Sequence, residues 1–337
     1  MSGEILNRCQ QLRGDLFPEG FYPEWLNVSG NNVTLTLPFP AIPQAQKLVE
    51  EEPQLSTYQW RYEVKTEALP RDSSRKAISA KNMIAVASGK GGVGKSAVTL
   101  NLALALAETG ARVGVLDADV FGPSVPTMLG NTQTKLEFTA QQKMLPIERY
   151  NLQVNSLGYL VEPGDATVWR GPMASRGVEQ LCFDTQWGNL DYLLVDMPPG
   201  TGDIQLTLSQ KLPVTGAVIV TTPQEIALAD ARKAVSMFSK VDVPVVGLVE
   251  NMSFYQCNGC GDKDYIFGKN GGVELAQQVQ APLLGQWPLN GLLREQFDLG
   301  RPLLVEQPEH PLCQYYRESA ARLVANAWYL TSPHAAR

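Results

Sequence analysis

The sequence predicts an α/β protein in which a doubly wound, mostly parallel β-sheet is preceded by a small α+β domain. From residue 83 onwards, short runs rich in valine, isoleucine and leucine alternate with helical stretches, which is typical of parallel strands buried on both faces. A glycine-rich loop joins the first of these runs to a helix. A polar, basic stretch separates this pattern from shorter segments before it, which indicates two domains.

The small domain is predicted over residues 1–66. Residues 32–37 alternate apolar and polar side chains, as a half-buried strand does. Residues 44–52 have helical periodicity, and residues 58–64 again resemble a strand. These short segments predict a small α+β unit.

The sheet domain is predicted over residues 83–330, after a linker at 67–82 and before a tail at 331–337. Its predicted strands cover residues 83–87, 112–116, 192–195, 217–220, 245–249 and 283–284. Its predicted helices cover residues 96–108, 226–239, 272–279 and 314–329. Ligands are expected at the carboxyl ends of the parallel strands.

Charge and composition narrow the function classes. The 337 residues carry a formal net charge of −6, which argues against a broad basic face for nucleic acid. The first residues include charged side chains and no unbroken apolar run, so we expect a cytoplasmic protein without membrane attachment. The five cysteines are then expected to be reduced thiols. Neither histidine, His310 or His334, is predicted to bind a metal.

Residues 89–96, with the sequence GKGGVGKS, have the pattern and the strand–loop–helix context of a phosphate-binding loop, or P-loop. Glycines let backbone N–H groups wrap around phosphate, and the helix N-terminus adds positive potential. Lys95 is expected to reach the β- and γ-phosphates of ATP in catalysis, and Ser96 to ligate Mg²⁺. The predicted nucleotide-binding residues of the loop are Gly89, Lys90, Gly91, Gly92, Val93, Gly94, Lys95 and Ser96.

Lys90 is a second lysine that an ordinary phosphate-binding loop does not need. The loop resembles the deviant Walker A class, which includes MinD, ParA, the nitrogenase iron protein and the Mrp-type carriers. That resemblance implies that Lys90 is catalytic and reaches across a homodimer interface to the partner's phosphates, like an arginine finger.

Three carboxylates follow predicted strands at the expected edge of the sheet. Asp119 is predicted to orient the water that attacks ATP, with Asp117 in support. Asp196 ends another apolar strand and is the predicted outer contact to Mg²⁺. The segment after it, at 197–203, is rich in proline and glycine and predicts a switch loop.

Cys257 and Cys260 form a CxxC pair in a glycine-rich segment. Two thiolates at this spacing can chelate one soft metal, but a closed zinc or iron–sulfur site usually has four ligands. The chain has no second pair, and two copies of the chain would supply four thiolates.

Longer strings resemble the Mrp (ApbC-type) family of iron–sulfur carrier ATPases. They are LDADVFGPSVP at 116–126, WRGPMAS at 169–175, DMPPGTGD at 196–203 and ENMS at 250–253. The resemblance implies a homodimer that receives a [4Fe-4S] cluster from a donor, binds it between paired Cys257 and Cys260, and passes it to apo-proteins. It also implies that Asn251 contacts adenine.

Two alternatives stay open at the sequence level. A MinD- or ParA-type organising ATPase shares the loop but needs a membrane helix or a DNA-binding face, for which the C-terminal stretch has few cations. A structural zinc site or a redox pair would use the same CxxC. Residues 1–66 resemble the family's small domain only loosely and lack a cysteine at 37–43, so protein recognition is their expected role. The isolated cysteines Cys9, Cys182 and Cys313 are predicted to be packing residues.

Overall fold

The computed structural model describes residues 2–120, 122–160, 171–257 and 259–332. Phe121, Trp169 and Arg170 of the family-like strings, Asn258 of the CxxC segment, and His334 lie outside the described residues. Within the described residues, no helix is both long and apolar enough to cross a membrane.

The elements are numbered in chain order. The strands are β1 (Leu26–Ser29), β2 (Asn32–Leu37), β3 (Gln59–Val64), β4 (Ala80–Ser88), β5 (Val113–Asp117), β6 (Ile147–Arg149), β7 (Leu152–Ser156), β8 (Leu190–Asp196), β9 (Gly216–Thr221), β10 (Val245–Glu250), β11 (Tyr255–Gln256), β12 (Lys263–Asp264) and β13 (Leu283–Gln286). The helices are α1 (Ser2–Gln11), α2 (Ile42–Glu50), α3 (Lys95–Glu108), α4 (Val125–Met128), α5 (Gly171–Phe183), α6 (Asp203–Lys211), α7 (Glu225–Lys240), α8 (Gly271–Gln278), α9 (Gly291–Asp298), α10 (Leu303–Glu306) and α11 (Pro311–Thr331).

The central sheet confirms the predicted fold class. Its strand order is β13-β10-β9-β4-β8-β5-β7-β6, and every neighbouring pair is parallel except β6 and β7. Strands β5, β8 and β9 are buried along their whole length, which explains why they read as continuous apolar runs.

The order of the strands decides which side chains meet at the carboxyl edge. Strand β8 lies between β4 and β5, so Asp196 pairs in register with Val86 on one side and with Asp117 on the other. The phosphate-binding loop leaves the end of β4 at the same edge. Asp196 is therefore placed between that loop and the carboxylates that follow β5.

The edge hairpin β6–β7 was not predicted from the sequence. Its turn residues Tyr150 and Asn151 have φ values of 51° and 60°, the left-handed conformation that a two-residue hairpin needs. Tyr-Asn is a weaker hairpin signal than the usual Asn-Gly or Asp-Gly. Strand β7 also buries the polar side chain of Asn155, which interrupts its apolar pattern.

The predicted linker contains no helix or strand before Ala80, but it is fastened to the large domain. The Arg75 guanidinium donates to the backbone oxygens of Ser209 and Leu212, at 2.9 and 2.8 Å, at the end of α6. Leu69 is buried. The first strand of the sheet begins at Ala80 rather than at Met83, the first residue of the predicted strand.

The N-terminal segment packs on the last helix of the chain. Strands β1 and β2 are antiparallel, and β2 and β3 are parallel. The rings of Trp25 and Phe39 lie 5.2 and 6.0 Å from that of Trp328 on α11, and the Trp328 indole donates to Glu67 at 2.9 Å. Helix α11 is longer than predicted because His310 caps it by accepting from the backbone N–H of Leu312.

Candidate functional site: a nucleotide loop and a cysteine hairpin

The phosphate-binding loop lies between β4 and α3, as predicted. Gly92 and Gly94 have φ values of 82° and 80°. Residues other than glycine adopt this left-handed backbone conformation only at a cost in free energy. A Cβ atom at Gly94 would lie 2.3 Å from the amide nitrogen of Asn251, so the loop also needs glycine there for space. Helix α3 has no side-chain cap at its N-terminus, which leaves its first backbone N–H groups available to bind an anion.

Lys95 is buried and reaches the carboxylates at the strand ends. Its Nζ atom lies 2.7 Å from Asp196 Oδ1 and 3.7 Å from Asp119 Oδ2. Asp196 is fully buried and also accepts from the hydroxyls of Ser96, at 2.5 Å, and Thr99, at 2.9 Å. The Ser96 hydroxyl and the Asp196 carboxylate are the hard oxygen donors that Mg²⁺ prefers, so together they fit the predicted metal contacts.

Asp117 holds the segment that carries Asp119. Its carboxylate accepts from the backbone N–H of Asp119 at 3.2 Å, from that of Val125 at 3.3 Å, and from the Ser156 hydroxyl at 2.9 Å. Burial, reinforced by the negative charge of Asp196, raises the pKa of Asp117 to about 7. Asp119 is less buried and faces Lys95, as expected of a residue that meets a ligand.

The second lysine of the loop and the predicted switch segment have different surroundings. The Lys90 side chain is partly exposed, and no hydrogen bond or ion pair from its amine is found within the described residues. The predicted switch segment returns to the loop, where the backbone N–H of Gly200 donates to Ser88 at 3.0 Å. Helix α6 begins at Asp203, directly after that segment.

Asn251 lies against the loop but makes a different contact from the one implied by resemblance. Its side-chain amide donates to the backbone oxygen of Val93 at 2.9 Å, and it is buried. Its backbone N–H donates to Thr221 at 2.8 Å. Asn251 therefore braces the phosphate-binding loop, and its contact to adenine stays a prediction.

The CxxC pair lies at the tip of the β11–β12 hairpin. Cys257 is half-buried and Cys260 is exposed. The backbone N–H of Cys257 donates to the backbone oxygen of Asp262 at 2.9 Å, and the backbone N–H of Gly261 donates to the backbone oxygen of Cys257 at 2.9 Å. The Cys260 thiol donates to the Asp262 carboxylate at 3.3 Å.

The pKa of Cys257 is lowered from its usual value, chiefly because the backbone N–H groups of Cys260 and Gly259 donate to its sulfur, with a further contribution from the Cys260 thiol. A stabilised thiolate is the form that binds metal. In the described part of the chain, no cluster of three or more histidine, cysteine or acidic side chains could hold a metal ion. The hairpin therefore offers two soft ligands within one chain.

The other three cysteines, Cys9, Cys182 and Cys313, are buried. Burial raises the pKa of Cys9 and Cys182 to about 12 and also raises that of Cys313. Neutral buried thiols of this kind are packing residues, as predicted.

Comparison with known proteins assigns the family. The sequence model of the ParA protein family, which is described as "NUBPL iron-transfer P-loop NTPase", matches residues 79–324 of this chain. The chain belongs to this family. It is 52% identical to the iron-sulfur cluster carrier protein of Salmonella typhimurium over 271 residues, which cover 80% of this chain and 73% of that protein.

Solved structures agree with this assignment. A nucleotide-binding protein from Archaeoglobus fulgidus, solved in complex with ADP, has a TM-score of 0.61 and 38% identity over 68% of this chain and 90% of its own. The cell division ATPase MinD of Pyrococcus furiosus has a TM-score of 0.54 at 22% identity, covering 72% of this chain and 98% of its own, and shows a shared fold. The match to the family and to an ADP complex identifies the chain as a nucleotide-binding P-loop ATPase.

Several residues of the site were not predicted from the sequence. Thr99 and Ser156 complete the hydrogen bonds of Asp196 and Asp117, and Glu250 anchors the turn that holds Asn251. Thr99 lies one helical turn beyond Lys95, a spacing that could have indicated it. Ser156 ends an unpredicted strand, and two of the donors to Glu250, Gly272 and Gln286, come from distant parts of the chain, so there was little local signal for either in the sequence.

Proposed function

We propose that this protein is an ATP-hydrolysing carrier of iron–sulfur clusters that works as a homodimer. One observation carries the proposal: an exposed two-cysteine hairpin continues directly from the strand end whose Asn251 braces the nucleotide loop. The family match and the carrier name of a 52% identical relative support the same function.

The nucleotide chemistry rests on residues of one chain and one lysine from the other. Lys95 and the N–H groups of residues 89–96 would hold the phosphates, and Ser96 with Asp196 would hold Mg²⁺, which neutralises phosphate charge when bound. Asp119 would orient the attacking water. Lys90 would reach the partner's phosphates, which fits an amine with no bonded partner among the described residues.

The cargo is proposed to be a [4Fe-4S] cluster held by Cys257 and Cys260 of both copies. A cluster of this kind takes four thiolates, and each chain offers two at the exposed hairpin tip. Exposure suits a cluster that must arrive from a donor protein and leave to an apo-protein. A reducing compartment, the cytoplasm, keeps these thiols available.

The alternatives have less support. A structural zinc site is usually closed by four ligands of its own chain, and within the described residues no such group is found. An organising ATPase of the MinD type shares the fold, but that similarity is at 22% identity and shows the fold alone.

Replacement of either hairpin cysteine tests the function. After anaerobic reconstitution, Cys257→Ser and Cys260→Ser should each lose stable cluster binding and transfer to an apo-acceptor. ATP hydrolysis should remain, because neither cysteine contacts the phosphate-binding loop. Visible absorption, transfer assays and phosphate release measure the three properties.

Cys313→Ala is the matched control, since Cys313 is buried and its thiol donates to the backbone oxygen of Gln307. It should keep cluster, transfer and hydrolysis. A Cys257→Ser protein that transfers clusters at the parent rate would show that the hairpin does not carry the cargo.

A further inference from the structure

Glu250 is a fully buried carboxylate at the end of β10, and the chemistry proposed above makes no use of it. Its Oε1 atom accepts from the Ser253 hydroxyl at 2.5 Å and from the Gln286 amide at 2.7 Å. Its Oε2 atom accepts from the backbone N–H of Gly272. Donors from the following turn, from β13 and from α8 therefore converge on one side chain.

The turn anchored by Glu250 contacts the nucleotide loop on one side. Asn251 donates to Val93 at 2.9 Å and leaves no room for a side chain at Gly94. Met252, next in the turn, has a φ of 55°, an uncommon conformation for this residue type. A shift of the loop would therefore press on Asn251 and so on the turn.

The same turn leads into the cysteine hairpin on the other side. The backbone N–H of Ser253 donates to the backbone oxygen of Trp287 at 2.8 Å, and the backbone N–H of Trp287 donates to the backbone oxygen of Glu250 at 2.9 Å. The next residue, Phe254, is buried, and its ring lies 6.2 Å from that of Tyr265, beyond β12. The base of the hairpin is thus joined to the turn by packed and hydrogen-bonded residues.

We propose that Glu250 is a positioning residue that makes the turn 250–253 rigid, so that nucleotide at the loop changes the reactivity of Cys257 and Cys260. The inference rests on the proposed function only in assuming that the loop binds nucleotide and that Cys257 and Cys260 are reactive thiols. The two accepting oxygens of a carboxylate are needed, because both accept hydrogen bonds and three donors face them. Glutamine has the same shape, but its NH₂ group would face one of these donors.

The test uses the full-length, reduced, metal-free protein. Alkylation of Cys257 and Cys260 by iodoacetamide is followed by peptide mass spectrometry, with and without Mg²⁺ and a non-hydrolysable ATP analogue. In the parent protein the analogue should change the alkylation rate by about fivefold or more, the usual lower range of coupling between sites. In Glu250→Gln the change should be lost, while the analogue still binds with parent affinity.

Ser253→Ala is the second variant, because it removes one hydrogen-bond donor to Glu250 and keeps the carboxylate. It should also lose the nucleotide effect, and it serves as the test if Glu250→Gln does not fold. Ser319→Ala is the matched control, since Ser319 is equally buried and bonds Trp287 without touching the turn. It should keep the nucleotide effect.

Three results would overturn the proposal. The first is no nucleotide effect in the parent protein, and the second is a full effect in folded Glu250→Gln, or in Ser253→Ala if Glu250→Gln does not fold. The third is an equal loss of the effect in Ser319→Ala. Iron is absent throughout, so failure of the cluster function leaves this readout intact.

Discussion

The nucleotide loop and the cysteine hairpin hold their reactive groups in different ways. Lys95 and Asp196 are buried, and the hydrogen bonds of the Asp196 carboxylate join parts of the chain that are distant in sequence. Cys257 and Cys260 are at least partly exposed and are ordered by bonds within their own hairpin. The first site is preorganised for one ligand, whereas the second is open to partners.

Each of the two regions also contains only part of the groups that its proposed chemistry needs. The loop has Lys90 without a bonded partner in the described part of the chain, and the hairpin has two of the four thiolates that a cluster takes. A second copy of the chain would complete both. Substitutions that act inside one chain should therefore differ in effect from those that act through the dimer.

The largest effect is expected from Lys95→Ala. It removes the cation between Asp196 and Asp119 and the contact to the phosphates, so hydrolysis should fall by about 1000-fold or more. Phosphate release measures the rate. Lys211→Ala, which removes an exposed ion pair with Glu179, is the control and should not change it. Near-parent hydrolysis by Lys95→Ala would contradict the site assignment.

Lys90→Ala should act through the partner. Hydrolysis is expected to fall by about 100-fold while nucleotide affinity stays close to that of the parent, because the lysine serves the other copy's phosphates. Mixing Lys90→Ala with Asp119→Ala chains should restore activity, up to about one quarter of the parent rate with random pairing. Heterodimers that form but remain as inactive as their parents would remove the support for action in trans.

A smaller effect is expected on stability from Asp117→Asn. The folded pKa of Asp117 is raised to about 7, whereas an unfolded aspartate ionises near pH 3.9. The folded state thus holds the proton between these values, and its stability falls as pH rises, by up to about 1.4 kcal/mol per pH unit. Asparagine does not titrate, so the variant should lose this part of the slope.

Urea unfolding at pH 5 and pH 7 measures that slope. Asp184→Asn, which changes a partly exposed carboxylate paired with Lys143, is the control and should keep the parent's slope. An unchanged slope in Asp117→Asn would mean that Asp117 stays ionised in the folded protein and that its burial is compensated.

The sequence predicted those parts of the molecule that have a local signal. The strands next to the phosphate-binding loop are continuous apolar runs, and the loop and CxxC are short patterns whose chemistry follows from residue type. Hairpin β6–β7 has a weak turn signal, and it was missed. The docking of Arg75 on α6 and the bonds of Glu250 to Gly272 and Gln286 join residues far apart in the chain, which periodicity cannot indicate.

The central claim, that two copies share one cluster through Cys257 and Cys260, is tested most directly by composition. Anaerobically reconstituted protein is separated by size and analysed for iron and acid-labile sulfide. The account predicts a dimer with about four iron and four sulfide ions, and no stable cluster in either cysteine variant. A monomer that retains a full cluster, or zinc bound tightly in place of iron, would contradict it.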